Sequence, residues 1–168
     1  AVRLFVIAQE ILVDNGSYPE QNITVNSHLF RPLGLGYANL GSFIMSQGLA
    51  YDSDQARAIA AAISAVLTGT AYVASAEIAS VKSPFDEFDK NREAMLKVVG
   101  MHRQYAYEIS ASHCPQYMCD AARDVWDEAF DAGTKTGFRN AQVTVIAPTG
   151  TIGFLMDCDT TGIEPDIA

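Results

Sequence analysis

The residues best placed to do chemistry form the turn Pro148-Thr149-Gly150-Thr151-Ile152, near the carboxyl end of the chain. Proline fixes φ and glycine permits conformations that a side chain forbids, so the turn can be tight. If a short helix begins at Ile152, residues 149 to 152 direct free backbone N–H groups and hydroxyls at a common point. Such donors bind phosphate without any lysine. The turn therefore predicts an anion site, although most turns of this composition are simple connections.

The cysteines, histidines and carboxylates are weaker candidates for a redox or metal site. Cys114, Cys119 and Cys158 are an odd number of cysteines in no disulfide or zinc spacing. Cys114 and Cys119 can approach each other as a redox pair, but two small residues at a helix start are the favoured interpretation. The three histidines are isolated from one another, and the carboxylates after the turn fit no loop of defined ligand geometry. We expect no metal site.

Two segments, in the same order along the chain, resemble the large catalytic subunit of ribonucleotide reductases of the adenosylcobalamin-dependent class. The first is Asn26 to Gly41, followed by Leu49 to Ser53, and the second is Ala141 to Gly153, followed by Gly162 to Pro165. The form Pro-Thr-Gly-Thr-Ile resembles the cobalamin class more than the oxygen-dependent di-iron class, whose corresponding turn is richer in Ser and Glu.

This resemblance implies a fold and a role for the turn. In the family, the strand before the turn belongs to a ten-stranded α/β barrel, and the preceding helical segment packs on the outside. The turn holds the diphosphate or triphosphate of the substrate nucleotide through main-chain amides and hydroxyls. Carried over residue by residue, the implied phosphate-binding residues are Pro148, Thr149, Gly150, Thr151 and Ile152.

The resemblance also implies a reaction, the radical reduction of ribonucleotides to deoxyribonucleotides. A thiyl radical generated by homolysis of adenosylcobalamin abstracts the ribose 3′ hydrogen, and a cysteine pair reduces the 2′ position. The family's radical cysteine lies in an Asn-x-Cys-x-Glu setting that none of the three cysteines here has, so no catalytic residue is carried over. The chain is expected to be a reductase fragment, inactive by itself, with no identifiable cobalamin-binding residue. The implied partners are a ribonucleoside di- or triphosphate, the remainder of the barrel and a second subunit in a homodimer.

The composition of the chain excludes several classes of protein. The chain has 168 residues, of which 49% are hydrophobic, and this predicts one domain with a core. A net charge of −9 with only 11 Lys and Arg disfavours nucleic-acid binding. The longest apolar run, residues 58–67, is too short to span a membrane, and free cysteines suit a reducing cytoplasm. We therefore expect a soluble, cytoplasmic protein, and both ends of the chain resemble cuts in a larger one.

Helical periodicity organises most of the chain before the turn. Glycines at positions 48 and 133 are predicted stops, and Gly69 is a predicted bend in the longest helix. The helices are predicted over about 1–14, 19–29, 37–48, 53–80, 91–108 and 115–133. A buried strand is predicted over Ala141 to Ala147, because apolar and β-branched residues alternate there.

The predicted fold is therefore mostly α, with a helical segment over 1–140 and a barrel strand, turn and Gly-Ile-Glu-Pro segment over 141–168. A lone buried strand leaves its backbone groups unpaired, at a cost of several kcal/mol in total. We expect strands supplied from elsewhere to pair with it. This leaves an alternative function, a non-catalytic helical scaffold or interaction module that docks a partner sheet through its unpaired strand and needs no nucleotide.

Overall fold

The computed structural model of the chain describes residues 1–166, and this part is mostly helical, as predicted. Residues 167–168, at the end of the predicted 141–168 unit, lie outside the described residues. The helices of the described part are α1 (Val2–Asn15), α2 (Gln21–Phe30), α3 (Leu40–Ser46), α4 (Asp54–Lys82), α5 (Phe88–Tyr107), α6 (Gln116–Thr136) and α7 (Gly150–Leu155).

The central element is α4, which packs along α6 and also contacts α1 and α5. The Ser53 side chain caps its first turn by accepting a hydrogen bond from the Ala56 N–H at 3.1 Å. Many alanines on its buried face let neighbouring helices approach closely. Tyr72 of α4 packs against Trp126 of α6 and against Phe138, with ring centroids 6.0 and 5.2 Å apart. These aromatic contacts form the centre of the core.

Two glycines lie where other side chains pack closely against a helix. α4 continues through Gly69, where an added Cβ would lie 2.7 Å from Val125 Cγ1, so this glycine permits the close crossing of α4 and α6. The predicted stop at Gly133 was wrong, since α6 continues through this residue, and the Phe138 ring fills the space where a Cβ would stand. The helix ends instead before Gly137, whose φ of 74° is left-handed.

The predicted strand Ala141 to Ala147 is not a strand in the described residues. It forms one isolated parallel bridge, between Leu35 and Thr144. The Leu35 N–H donates to the Val143 carbonyl at 3.1 Å, and the Leu35 carbonyl accepts from the Val145 N–H at 3.0 Å. The expectation that its partners all lie outside the chain was therefore wrong. Gly36 allows this pairing, since an added Cβ would stand 2.2 Å from the Val145 carbonyl oxygen.

By length and composition, α4 is also able to cross a membrane, with a mean hydropathy of 1.6 over an 18-residue window. The ten-residue apolar run used for the prediction missed this property, because Thr68-Gly69-Thr70 ends the run without lowering the average hydropathy of the helix much. In the structure, 44% of that window is buried inside the protein. Core helices of soluble proteins pass the same test, so the finding is weak evidence for a membrane span.

Candidate functional site

The turn Pro148 to Ile152 begins α7, two residues earlier than predicted, and presents unpaired backbone donors. Thr149 is the N-cap residue, with a left-handed φ of 55° and no side-chain capping bond. Within residues 1–166, the N–H groups of Gly150, Thr151 and Ile152 donate to no acceptor. A Cβ added to Gly150 would have no atom within 4 Å. The turn therefore offers three free amides on an open surface, which an anion can approach.

The two threonine hydroxyls of the turn differ in their surroundings. Thr149 Oγ1 accepts a hydrogen bond from the Gly162 N–H at 2.7 Å, which leaves the hydroxyl hydrogen for another acceptor. Gly162 has a φ of 45°, and a Cβ there would lie 2.9 Å from the Ala147 carbonyl oxygen. Thr151 is exposed, and its hydroxyl makes no hydrogen bond within residues 1–166. Both hydroxyls are thus able to donate outward.

Residues 157–164, here called the carboxyl-terminal loop, are fastened to the start of α3. Asn39 Oδ1 accepts from the N–H of Thr160 at 3.0 Å and from its hydroxyl at 3.2 Å. The Thr160 hydroxyl oxygen in turn accepts from the Ser42 N–H at 3.1 Å. Thr160 is only 4% exposed. The polar atoms of this side chain are therefore fully used inside the protein.

Further hydrogen bonds strengthen this attachment. The Ser42 hydroxyl donates to Asp159 Oδ2 at 2.9 Å, and the Tyr51 hydroxyl donates to the Ile163 carbonyl. The two segments that carry the family resemblance, far apart in sequence, thus meet in space. Asn39 therefore hydrogen-bonds to a residue that lies 121 positions away in the sequence.

An apolar groove with a volume of about 450 Å³ adjoins the turn. It lies within the size range of ligand pockets, and its lining residues include no Cys, His, Asp, Glu, Lys or Arg. The main contributors are Phe5, Leu35, Leu67, Val145, Ile152 and Met156. Polar donors at one end and apolar walls beside them suit a molecule with an anionic group and a largely apolar body.

A buried charge network fixes the segment that leads to the turn. Glu10, 6% exposed, accepts from Arg31 Nε at 2.6 Å and from Arg139 Nε at 2.7 Å through Oε1. Its Oε2 accepts from Asn140 Nδ2 at 2.6 Å. The Asn140 N–H donates to the Ser75 hydroxyl of α4 at 3.0 Å. Sequence reasoning missed this network because its members come from four distant segments.

Cys114 and His102 are titratable groups whose surroundings shift their pKa. Cys114 and Cys119 are buried neighbours, and burial together with the Cys119 thiol raises the pKa of Cys114 to about 11. A thiol with this pKa is protonated at neutral pH and is a poor nucleophile. His102 stacks on Trp126 at 5.1 Å, and burial lowers its pKa. In the described part of the chain, no three His, Cys, Asp or Glu side chains are grouped to hold a metal ion.

Comparisons with known proteins give a consistent result. The family model described as "Ribonucleotide reductase, barrel domain" matches residues 1–168. The "Vitamin B12-dependent ribonucleotide reductase" of Rhodopirellula baltica is 57% identical over 168 residues, which cover 100% of this chain and 16% of the relative. The protein of the same name from Agrobacterium fabrum is 48% identical over 183 residues, covering 100% of this chain and 14% of the relative. The "Vitamin B12-dependent ribonucleoside-diphosphate reductase" of Mycobacterium tuberculosis is 26% identical over 157 residues, which cover 94% of this chain and 17% of the relative. The chain therefore spans only about one sixth of the length of these relatives.

Proposed function

The chain belongs to the ribonucleotide reductase barrel-domain family, and on that premise we propose that it holds the substrate phosphates of a cobalamin-dependent ribonucleotide reductase. The observation that carries the proposal is the set of free amides at Gly150, Thr151 and Ile152, beside two hydroxyls able to donate outward. The complete enzyme would reduce ribonucleoside di- or triphosphates to deoxyribonucleotides. Its radical cysteine would come from outside this chain.

In this proposal the turn binds phosphate with neutral donors. Pro148 fixes the entry to the turn, and the amides of Gly150, Thr151 and Ile152 with the hydroxyls of Thr149 and Thr151 donate to phosphate oxygens. Neutral donors are consistent with the net charge of −9, which provides no general attraction for anions. The nucleoside would extend from the turn along the apolar groove.

The names of the relatives imply vitamin B12, and we propose adenosylcobalamin as the cofactor of the complete enzyme. The residues of this chain do not by themselves fit it. The groove beside the turn has a volume of only about 450 Å³, and no His or Cys lines it. We therefore assign cobalamin binding to other parts of the enzyme.

We propose that the remainder of the barrel covers the outer side of the segment Ala141 to Ala147. Val145 and Ile146 are 51% and 38% exposed there, and within residues 1–166 the segment is paired only on the side of Phe30 to Leu35. A cytoplasmic location and a homodimer fit the same proposal, in which neither nucleic acid nor membrane is a partner.

The test uses Thr151→Val in the complete reductase, because this change removes a hydroxyl that has no partner within residues 1–166. We expect nucleotide affinity to fall by about 1–3 kcal/mol, the cost of a lost charge-assisted hydrogen bond. Thr149→Val should weaken binding at least as much, since it also breaks the bond to Gly162. Isothermal titration with the ribonucleotide substrate measures both.

The matched control is Thr134→Val, a change at an exposed threonine of α6 whose hydroxyl donates only to the Phe130 carbonyl of its own helix. It should leave nucleotide affinity unchanged. Unchanged affinity in both turn variants would contradict the phosphate role and favour the alternative, a helical scaffold that docks a partner sheet.

A further inference from the structure

We propose that Asn39 and Thr160 are positioning residues for the phosphate-binding turn, since they hold the carboxyl-terminal loop where Gly162 orients the Thr149 hydroxyl. In the part of the chain that the structure describes, neither side chain hydrogen-bonds to a residue of the turn. The inference rests on the proposed function of the turn and adds to it two residues that act through others.

The backbone of Asn39 has an unusual conformation. Its φ of 71° lies in the left-handed region, which glycine adopts most easily and other residues only at a cost. Asn is one of the few residues that tolerate this region, and here its side chain is used. Oδ1 accepts both the N–H and the hydroxyl of Thr160, so a single atom anchors the loop at two points.

Thr160 completes the anchor. Its hydroxyl donates to Asn39 Oδ1 and accepts from the Ser42 N–H at 3.1 Å, and this arrangement uses the hydroxyl in both directions. Its methyl group packs on Gly41, where an added Cβ would lie 3.0 Å from Thr160 Cγ2 and 2.6 Å from the Glu164 carbonyl oxygen. The loop therefore lies on the start of α3 with no space between them.

The anchor reaches the turn through Gly162. This residue lies two positions after Thr160, is buried, and donates its N–H to Thr149 Oγ1 at 2.7 Å. That bond occupies one lone pair of the Thr149 hydroxyl and so restricts the direction of its hydrogen. If the loop is released, the hydroxyl rotates freely and the left-handed turn at Thr149 loses its brace. The amides that follow then lose their common direction.

The experiment compares Asn39→Gly and Thr160→Val in the complete reductase. Glycine keeps the left-handed backbone without strain and removes the side chain that carries the acceptor, whereas valine keeps the shape of Thr160 and removes its hydroxyl. For both variants we expect KM for the ribonucleotide to rise roughly 3- to 10-fold, as for the loss of one or two oriented hydrogen bonds, with kcat unchanged. The affinity for the corresponding nucleoside without phosphates, measured by competition, should not change. Thr160→Ser retains the hydroxyl and should restore the normal KM.

Each outcome has a distinct meaning when Thr151→Val is measured alongside. If Thr151→Val weakens binding but Asn39→Gly and Thr160→Val do not, the positioning role is wrong and the phosphate role stands. If Thr151→Val has no effect, the phosphate role itself fails. Equal losses of affinity for nucleotide and nucleoside, or a fall in kcat that follows a lower unfolding temperature, would show a merely structural contribution and overturn the inference.

Discussion

Left-handed backbone conformations gather around the turn. Of the five non-glycine residues with positive φ in residues 1–166, Asn39, Thr149 and Asp157 belong to the turn or to the elements fastened to it. Each such residue costs on the order of 1–3 kcal/mol and persists only where the surrounding structure holds it. Thr149 is the most unusual, because β-branched residues rarely adopt this region. This concentration of strain is consistent with a site in which donor direction matters more than local stability.

Glu10 is predicted to be the most sensitive residue of the buried charge network. Glu10→Gln keeps the size of the side chain but leaves Arg31 and Arg139 without their shared carboxylate, and breaking a buried ion pair costs about 3–5 kcal/mol. Asp52→Asn, at a highly exposed ion pair with Arg57, is the control and should change stability far less. Denaturant unfolding of both variants measures the difference, and equal stabilities would contradict a structural role for the network.

The ion pair between Asp14 and Arg31 is expected to make the stability of the fold depend on pH. The hydrogen bond from Arg31 holds the pKa of the Asp14 carboxyl below its ordinary value, against an opposing effect of burial. The ionised form therefore stabilises the fold above the ordinary pKa, about 3.9, and this contribution is lost as the pH falls through the lowered pKa. Asp14→Asn should be less stable than the unmodified chain at neutral pH, and the gap should narrow below about pH 4. Thermal unfolding across this pH range measures the stability difference. A difference that does not change with pH would contradict a stabilising role for the ionised Asp14.

At the scale of elements, the helices follow from local sequence and the site does not. Periodic apolar residues, the Ser53 cap and the Ser83-Pro84 break define α4 without help from the rest of the chain. The attachment of Thr160 to Asn39 depends on tertiary placement, so neither motif alone predicts it. The strand at Ala141 to Ala147 was overpredicted for the same reason, because strand formation requires a neighbour, and within residues 1–166 only the segment Phe30 to Leu35 supplies backbone partners. The free amides of the turn were predictable, since any helix start leaves them unpaired.

Gly69 and Gly100 provide a test of the α4 and α6 crossing. Both lie inside helices, where alanine is intrinsically better than glycine by about 1 kcal/mol. Gly69→Ala should nevertheless destabilise the fold, by about 1–3 kcal/mol, because its Cβ meets the stiff Val125 side chain at 2.7 Å. Gly100→Ala meets Phe130 at an ordinary 3.4 Å and should be neutral or stabilising. Chemical denaturation measures the stability of the two variants. A stabilising effect of Gly69→Ala would show that a Cβ fits between α4 and α6 at this position.

At the scale of the whole molecule, the chain has a core but leaves large apolar surfaces uncovered. On α1, Leu4 and Leu12 are 69% and 66% exposed, and after the turn Phe154 and Leu155 are 77% and 83% exposed. A helix that is apolar on all sides is usually buried on all sides. These surfaces agree with a chain that spans about one sixth of its relatives, and we propose that further parts of the same enzyme cover them.

The isolated chain is therefore predicted not to reduce ribonucleotides. It would supply the phosphate turn, but Cys114, Cys119 and Cys158 lack the Asn-x-Cys-x-Glu setting, and the Cys114 thiol is held protonated by burial. The assay combines the chain with ribonucleotide, adenosylcobalamin and a dithiol, and the complete reductase serves as the positive control. Sustained deoxynucleotide formation by the chain alone would contradict the prediction.

The attachment of the carboxyl-terminal loop to Asn39 is expected to form late in folding. Its partners are 121 positions apart, and contacts of such separation form late because a long loop must close first. During synthesis, Asn39 leaves the ribosome well before Thr160, and α3 to α6 can fold in the interval. On the proposed function, the phosphate-binding turn should therefore be completed in one of the last steps of folding, after the helical core has formed.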